Sequence, residues 1–346
     1  MKRLDQKLAR IRAGKYKPTD FIIADAKDGD MGPSLTSSGP KRDKDGNWTR
    51  YRTRGEFLDE IAAIVKQDIV DVMLVSASNL ELLNERKVFQ KSAVQPAIRA
   101  NDTTCIWRMR GAGYHHSPSR PFRSASLPRV MYGATRAPGN SPASRRIKGT
   151  DLGLYSMTFN NDIEADIRSL EAFAAFRAEA SALGFRYFLE VFNPNVDTRI
   201  DPNVLPHYIN DAILRALAGV MKADRPQFLK IAYNGPKALE ELASFDPSLV
   251  VGVLGGGAGT TRDAFELIHQ AERYGARVAL FGRKINLAES PLEMVAMLRR
   301  VAIGDVKPKE AVKAYHATLK KLGIKPARAL EEDSAVTESV LEEAAA

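Results

Sequence analysis

The sequence predicts one α/β domain folded as a (β/α)8 TIM barrel, and three observations support this prediction. Eight short runs of apolar, β-branched or aromatic residues have the length of buried strands. Most intervals between these runs contain a stretch with helical spacing. The runs are nearly continuous in apolar residues, which is typical of a parallel sheet covered on both faces. Eight such strands in a chain of 346 residues indicate a closed barrel.

The predicted strands are spread over most of the chain. In order they are FIIADA (21–26), VDVMLVSA (70–77), TTCIWRMR (103–110), DLGLYSMTF (151–159), FRYFLEVF (185–192), QFLKIAY (227–233), LVVGVLGG (249–256) and ARVALFG (276–282). The interval after the third run lacks a clear helical stretch, because a long basic segment stands where the helix is expected.

Helical spacing is clearest in three intervals, which carry the start and stop signals of helices. They are RGEFLDEIAAIVKQ (54–67), with Phe57, Ile61 and Ile64 on one face, IEADIRSLEAFAAFRAEASALG (163–184), and TTRDAFELIHQAERYG (260–275), which opens on Thr260 or Thr261. Glycine closes the last two, as expected of a residue that adopts the left-handed conformation at a helix end.

No repeat or linker divides the chain, so a single domain is expected. The barrel core spans about 20–300. The polar loop after strand one, at 30–54, is long enough to be a lid. A terminal helix and a flexible, acidic tail, which we expect to fray, occupy about 305–346.

The loop after strand three, from Gly111 to Gly149, holds much of the net charge of +9. It contains seven basic residues and no Asp or Glu, namely Arg120, Arg123, Arg129, Arg136, Arg145, Arg146 and Lys148. It is interpreted either as a solvated or subunit-contact loop or as a binder of anionic substrate. Nucleic acid is a disfavoured partner, because no helix-turn-helix or aromatic RNA-binding pattern accompanies the charge.

Several classes of protein are disfavoured by composition. The single cysteine, Cys105, cannot form an internal disulfide and suits a reducing compartment. The N-terminus has no apolar signal core, and no segment approaches the roughly 20 apolar residues of a membrane helix. We therefore expect a cytoplasmic protein with no membrane partner. We also expect a homo-oligomer in which the long basic loop reaches a neighbouring subunit.

The predicted strand ends are crowded with polar residues, and barrels place their chemistry there. The candidates are Asp25, Lys27 and Asp28; Ser76, Ser78 and Asn79; Arg108 and Arg110; Ser156, Thr158 and Asn160; Glu190 and Asn193; Lys230 and Tyr233; Gly255 to Gly259; and Gly282, Arg283 and Lys284. Cations outnumber carboxylates in this set, which suits a substrate that carries phosphate or carboxylate.

Glycines after strand seven and strand eight predict a phosphate site. Gly255, Gly256 and Gly257 lie in GVLGGGAGTTRD, where backbone N–H groups and the next helix N-terminus can face an anion. Strand eight ends with Gly282 and Arg283, and phosphate sites in barrels recur after strands seven and eight. Arg108 and Arg110 add positive charge. Neither a P-loop nor a dinucleotide fingerprint is present.

Lys230 lies in the middle of the apolar run PQFLKIAYNG. Burying an unpaired lysine costs several kcal/mol or lowers its pKa. One interpretation is a structural lysine paired with Asp25 or Glu190. The other is a nucleophile that attacks a substrate carbonyl and forms a Schiff base. The second interpretation predicts that Asp25, Glu190, Lys230 and Gly256 converge in one cleft.

With these motifs, the chain resembles the archaeal-type class I fructose-bisphosphate aldolases, within the barrel aldolase superfamily. The resemblance covers roughly 20–300. It rests on Asp25 in IADAKDG, Glu190 in LEVFNP, Lys230 in FLKIAY, the Gly-Gly of VLGGGAG and the Gly-Arg of LFGRKI. It implies a metal-independent lyase without a cofactor, in which Lys230 forms the Schiff base and Asp25 and Glu190 handle protons.

Three features depart from the family, and one of them is the basic third loop, which has no counterpart there. The family's first strand leads into an Asp-His-Gly-like turn, whereas DAKDGDMG opens a long polar loop here. Its fourth strand carries a proton-transferring tyrosine, and here Thr158 falls at that place with Tyr155 three residues earlier. Tyr155, Tyr233 or a water held by Thr158 is therefore the expected proton shuttle.

Two other classes of function stay open at this point. A sugar-phosphate isomerase or epimerase would use the same carboxylates and form no covalent adduct. A non-enzymatic barrel would bind anions or nucleic acid through the basic loop. A metal-dependent aldolase is disfavoured, because the five histidines form no His-x-x-x-His motif or Cys/His cluster.

Overall fold

The computed structural model describes residues 2–43, 46–135, 139, 146–257 and 259–345. Its strands, numbered along the chain, are β1 (Ile22–Lys27), β2 (Pro40–Arg42), β3 (Trp48–Tyr51), β4 (Val72–Val75), β5 (Gln95–Arg99), β6 (Asn101–Thr103), β7 (Pro121–Arg123), β8 (Leu152–Thr158), β9 (Arg186–Phe192), β10 (Leu229–Ile231), β11 (Gly252–Leu254) and β12 (Val278–Phe281). Eight of them close a parallel barrel in the order β1-β12-β11-β10-β9-β8-β5-β4. The predicted (β/α)8 barrel is confirmed.

Helices follow most of the barrel strands. They are α1 (Arg3–Arg12), α2 (Arg54–Gln67), α3 (Ala77–Glu85), α4 (Leu127–Tyr132), α5 (Ile163–Leu183), α6 (Leu205–Ala218), α7 (Pro236–Phe245), α8 (Thr261–Arg273), α9 (Arg283–Leu287), α10 (Pro291–Ala302), α11 (Pro308–Lys321), α12 (Leu330–Asp333) and α13 (Ser339–Glu342). No helix among the described residues is long and apolar enough to cross a membrane.

The third barrel strand lies eight residues earlier than predicted. It is β5, QPAIR, rather than the predicted 103–110. That segment instead forms β6, a short 3-10 turn at Thr104–Ile106 and irregular chain. Pro96 lacks the backbone N–H that a strand residue donates to its neighbour, and Arg99 interrupts the apolar pattern. These two residues therefore make β5 hard to recognise as a buried strand from sequence.

The barrel strands bury both faces, which explains their nearly continuous apolar sequence. One set of side chains fills the interior, including Ile22, Leu74, Phe188, Phe228 and Leu280. The alternate set packs against the helices. Side chains two residues apart share a face, so this parity decides which strand-end groups reach the barrel mouth.

Helix α1 closes the amino-terminal end of the barrel. Its Leu4 and Leu8 are fully buried in the interior cluster. Below them, buried Asp71 accepts hydrogen bonds from Lys7 at 2.9 Å and Arg299 at 2.7 Å. Apolar packing and paired charges therefore fill the barrel interior at this end, and barrels place their chemistry at the carboxyl ends of the strands.

Two long loops follow barrel strands at the carboxyl end of the barrel. The loop after β1 contains the antiparallel β2–β3 hairpin, and the chain after β5 contains the β6–β7 pair. In the basic segment, Arg123 binds Glu179 of α5 at 2.7 Å. Arg136 and Arg145 lie outside the described residues.

The C-terminal segment lies against α8, where the sequence predicted a frayed tail. Leu341 of α13 is 0% exposed, and Gln270 of α8 donates a hydrogen bond to its carbonyl at 2.9 Å. His316 of α11 contacts Asp333 at 2.9 Å. Burial of one leucine contributes about 2 kcal/mol, which helps to fix the segment.

Candidate active site

A cavity of about 530 Å³ opens at the carboxyl ends of the barrel strands. Three of the four residues predicted to share a cleft, Glu190, Lys230 and Gly256, line it. Phe192, Ile106 and Leu254 add apolar walls, a composition suited to a small polar organic ligand.

Lys230 points into the barrel from β10. Its neighbours Leu229 and Ile231 face the helices, whereas Phe228 faces the interior, so the alternation places Lys230 inside. Its Nζ lies 2.5 Å from Oε1 of Glu190 on β9. Only 8% of the lysine side chain is exposed. The amine is therefore held in a fixed position at the floor of the cavity.

Arg99, at the end of β5, binds both carboxylates of the floor. It donates from Nε to Asp28 Oδ2 at 2.6 Å and from Nη2 to Glu190 Oε2 at 3.2 Å. Its third bond, at 2.9 Å, reaches Ser156 Oγ, which itself donates to Glu190 at 2.6 Å. Arg99 is not among the predicted site residues, because the third strand was predicted at 103–110 and not at β5.

The floor pairs two cations with two carboxylates. Burial alone would raise the pKa of Asp28, but the charges of Arg99 and then Lys230 lower it below its ordinary value. Burial alone would lower the pKa of Arg99, but the charges of Asp28 and Glu190 raise it above its ordinary value. Asp28 and Arg99 are therefore both ionised at neutral pH.

Asp25 does not reach the cavity, so the prediction that it joins Lys230 in one cleft is wrong. It shares the parity of Ile23, which packs on the helix side of β1. Its closest cation is Lys27 Nζ at 3.7 Å, and Lys27 in turn binds Glu60 of α2 at 2.8 Å. Asp28, three residues later, is the carboxylate that β1 delivers to the barrel mouth.

Tyr155 faces the helices as well. Its ring stacks on Phe176 of α5 with centroids 4.4 Å apart, and burial raises the pKa of its hydroxyl. Tyr233 is similarly directed outward, donating to Gln270 of α8 at 2.6 Å. The expectation that either tyrosine serves the cavity is wrong, because strand parity places both on the other face.

Thr158 is 1% exposed, at the end of β8. Its Oγ1 lies 3.4 Å from the Sγ of Cys105. Cys105, and not Thr158, contributes to the cavity surface. Thr158 thus has a position inside the barrel, but below the cavity surface.

Two more of the predicted strand-end residues hold the first loop in place. Ser76 and Asn79 donate to Asp30 Oδ2 at 2.6 and 3.2 Å. Burial raises the pKa of Asp30, and the bond from Ser76 opposes this. These contacts fix the loop that contributes Gly29, Gly32 and Pro33 to the cavity wall.

Arg283 and Arg108 face the same cavity from different loops. Burial lowers the pKa of Arg283, and the neighbouring charge of Arg108 lowers it further. Arg283 also donates to the Gly256 carbonyl at 2.8 Å. Two guanidinium groups at one cavity favour an anionic ligand. Arg110, predicted beside Arg108, does not line the cavity.

The glycines at the ends of β11 and β12 have a packing role. A Cβ on Gly255 would lie 2.6 Å from the Phe281 ring, and one on Gly282 would lie 2.8 Å from the Ala26 carbonyl. Both glycines, with Gly256, line the cavity, and Gly257 follows them. Ala258 lies outside the described residues. The glycine run is therefore explained by close strand packing as well as by access of a ligand to the backbone.

The start of α8 is not free to bind an anion, contrary to prediction. The N–H of Thr261 donates to Asp333 Oδ1 at 2.7 Å. Asp263 and Thr260 form a capping box, with Thr260 N–H donating to Asp263 Oδ2 at 2.9 Å. Lys284, the last predicted cation, donates to the Gly259 carbonyl at 3.0 Å. Carboxylates of this chain therefore already satisfy the first turn.

Solved structures that share this architecture include Schiff-base aldolases. An archaeal fructose 1,6-bisphosphate aldolase matches with a TM-score of 0.59 at 14% identity, over 87% of this chain and 99% of that one. An archaeal aldolase with its catalytic lysine bound to the carbinolamine intermediate gives 0.60 at 14%, over 87% and 100%. The fructose-bisphosphate aldolase of Slackia heliotrinireducens gives 0.64 at 12%, over 91% and 90%.

These similarities establish the shared barrel fold. The structural neighbours include archaeal-type class I aldolases, as the sequence resemblance led us to expect. No protein-family model matches the chain, and no curated protein matches it in sequence.

Proposed function

We propose that the chain is a metal-independent class I aldolase that acts on a phosphorylated ketose or a related anionic keto compound. The observation that carries this proposal is the buried amine of Lys230, 2.5 Å from the Glu190 carboxylate at the floor of a cavity that two arginines also line. The barrel shared with Schiff-base aldolases supports it. A nucleophilic lysine needs a nearby proton acceptor and a means of holding its substrate.

Schiff-base formation begins with transfer of one ammonium proton from Lys230 to Glu190. The free amine adds to the substrate carbonyl carbon, and a proton moves from nitrogen to oxygen, which gives a neutral carbinolamine. Glu190 then returns its proton to the carbinolamine hydroxyl, which leaves as water. The product is an iminium cation beside the restored carboxylate, so the charge of the pair is conserved.

Cleavage draws electrons toward this iminium. A base removes the proton of the hydroxyl on the carbon that will become the aldehyde. The bond between this carbon and the carbon next to the iminium then breaks, which gives an aldehyde and an enamine. Asp28 and Glu190 are the carboxylates of the cavity floor and are assigned this step. The enamine is then protonated on carbon and hydrolysed by water, which releases the ketone product and the free amine of Lys230.

Substrate orientation is assigned to Arg283 and Arg108 at one side of the cavity. An anionic group bound there fixes the distance between the carbonyl and Lys230. Charge-assisted bonds from guanidinium to phosphate are each worth about 1.5–3 kcal/mol. Such binding energy positions the reacting carbon and lowers the entropy cost of attack.

The test is reductive trapping with borohydride in the presence of candidate ketose phosphates. Reduction of an iminium to a secondary amine leaves a permanent mass increase, which peptide mapping by mass spectrometry assigns to a residue. We expect an adduct at Lys230. A sugar-phosphate isomerase would bind the same compounds without an adduct, and that result would reject the aldolase proposal.

A further inference from the structure

The segment Asp333–Leu341 lies across the start of α8 and beside the glycine loop after β11. Asp263, at the first turn of α8, accepts the Thr337 N–H at 2.7 Å and the Thr337 hydroxyl at 2.6 Å. It also accepts the Glu338 N–H at 3.3 Å. These bonds, with buried Leu341, fix the backbone on both sides of Glu338.

The Glu338 carboxylate lies directly over the glycine loop. One oxygen, Oε1, is 3.3 Å from the position that a Cβ on Gly257 would take. The other, Oε2, is 3.4 Å from the corresponding position on Gly256. Burial raises the pKa of Glu338, and so does Asp263, whereas a hydrogen bond from the Gly257 N–H and the charge of Arg283 lower it.

Glu338 therefore makes the contacts that the anion of a substrate would make at this loop. It accepts a backbone N–H of the glycine run and lies within the field of Arg283, which itself binds the Gly256 carbonyl at 2.8 Å. The N–H groups of Thr260 and Thr261 are also taken by carboxylates of this chain. Because like charges repel, a phosphate and the Glu338 carboxylate cannot both bind at Gly257.

We propose that Glu338 is an internal competitor for the anion subsite formed by Gly256, Gly257 and Arg283, and that it determines the anion specificity of the cavity. A dianionic phosphate occupies the glycine loop only when the Glu338 side chain is displaced. Its apparent affinity is reduced by the fraction of molecules in which Glu338 occupies the loop. The inference rests on the anion-binding part of the proposed function and is independent of Lys230 chemistry.

The experiment measures binding of inorganic phosphate by calorimetry or ³¹P NMR. The variants are Glu338→Ala, which empties the position, and Glu338→Gln, which keeps its shape without the charge. Glu342→Gln removes the same charge from an exposed position on α13. We expect Glu338→Ala to tighten phosphate binding by about tenfold or more, in the range of measured couplings between sites. Glu342→Gln should change it by less than about twofold, because exposed charges are screened.

A second substitution locates the effect. Arg283→Ala introduced into the Glu338→Ala variant should abolish the gain, because the freed subsite loses its cation. Equal gains in Glu338→Gln and Glu342→Gln would show a general charge effect and overturn the proposal. Unchanged or weaker phosphate binding in both Glu338 variants would also overturn it and make Glu338 a structural latch. Borohydride trapping at Lys230 is measured separately, so failure of one proposal is distinguishable from failure of the other.

Discussion

Lys230 Nζ lies 2.5 Å from Glu190 Oε1, across two neighbouring parallel strands. The two residues are register partners, so their side chains point into the barrel at the same height. The second oxygen of Glu190 accepts bonds from Arg99 and Ser156, which do not involve the lysine. The carboxylate is therefore held in place independently of the amine.

Lys230→Met should abolish borohydride trapping while the protein stays folded. Breaking a buried ion pair usually costs about 3–5 kcal/mol, because a lone charge stays behind. Here Glu190 keeps Arg99 and Ser156, so we expect the free energy of unfolding to change by less than about 2 kcal/mol. Intact-mass spectrometry after reduction and a thermal melt measure the two quantities.

Lys7→Arg is the matched control, because Lys7 is also buried but binds Asp71 at the amino-terminal end of the barrel and does not line the cavity. Its trapping should equal that of the unmodified protein. An adduct mapped to Lys27, or full activity in a folded Lys230→Met variant, would contradict the assignment of the nucleophile.

Arg283→Ala should weaken binding of a phosphorylated substrate by about 1.5–3 kcal/mol, the worth of a hydrogen bond to a charged group. At about 1.4 kcal/mol per tenfold, the dissociation constant rises roughly 10- to 150-fold. Binding of the unphosphorylated analogue should stay nearly constant. Titration of both compounds by calorimetry separates these effects.

Arg110→Ala serves as its control, because Arg110 is exposed and does not line the cavity. The affinity of the phosphorylated compound should not change in that variant. If Arg283→Ala weakened both compounds equally, Arg283 would have a structural role through its bond to the Gly256 carbonyl.

Arg99→Gln should shift the acid side of the pH profile for carbon–carbon cleavage to higher pH. Arg99 is a positioning residue that neutralises Asp28 and Glu190, at 2.6 and 3.2 Å. Burial raises the pKa of Asp28 and the charge of Arg99 lowers it, so without Arg99 that pKa rises and the ionised base for the cleavage step forms only at higher pH. The measurement is the initial rate of cleavage as a function of pH.

Arg99→Lys restores the charge without the planar donor set, so its profile should return toward that of the unmodified protein even if the rate stays lower. Arg110→Gln removes a cation of the same type outside the cavity and should leave the profile in place. A lower rate at every pH with an unmoved profile in Arg99→Gln would mean that Arg99 acts only on structure.

The barrel could be predicted because strands that are buried on both faces are nearly continuous in apolar residues. Seven of the eight predicted strand runs overlap barrel strands. The exception followed from Pro96 and Arg99, which break the apolar pattern of β5 without breaking the strand. The neighbouring run at 103–110 matches the composition of a buried strand more closely than β5 does, so it was predicted as the third strand. Arg99 was therefore not recognised as a residue at a strand end.

Predicting the site depended on strand parity, which sequence cannot assign when both faces are apolar. Lys230 and Glu190 were placed together because polar residues within buried runs need partners. Asp25 and Tyr155 satisfied the same criterion, but they face the helices. The position of Glu338 over the glycine loop is a contact between distant parts of the chain, and no local pattern encodes it.

Asp25 gives the fold a pH dependence that does not come from the cavity. Burial raises its pKa to about 7; Lys27 opposes this and Glu60 adds to it. Neither carboxyl oxygen has a hydrogen-bond partner. Between pH about 4 and about 7 the folded protein keeps a proton on Asp25 that the unfolded chain has released. Stability therefore falls as pH rises through this window and stays at the lower level above it.

Asp25→Asn should remove this loss, because the amide has the shape of the protonated acid and does not ionise. One pKa unit corresponds to about 1.4 kcal/mol, so we expect a gain of about 1–4 kcal/mol at pH 8. Little gain is expected near pH 4.5, where Asp25 is protonated in the folded state. Denaturant unfolding from pH 4.5 to 8.5 measures the difference. Asp59→Asn, at a side chain that is 74% exposed, is the control, and its curve should parallel that of the unmodified protein. A parallel curve for Asp25→Asn would show that Asp25 is ionised in the folded protein and stabilised by Lys27.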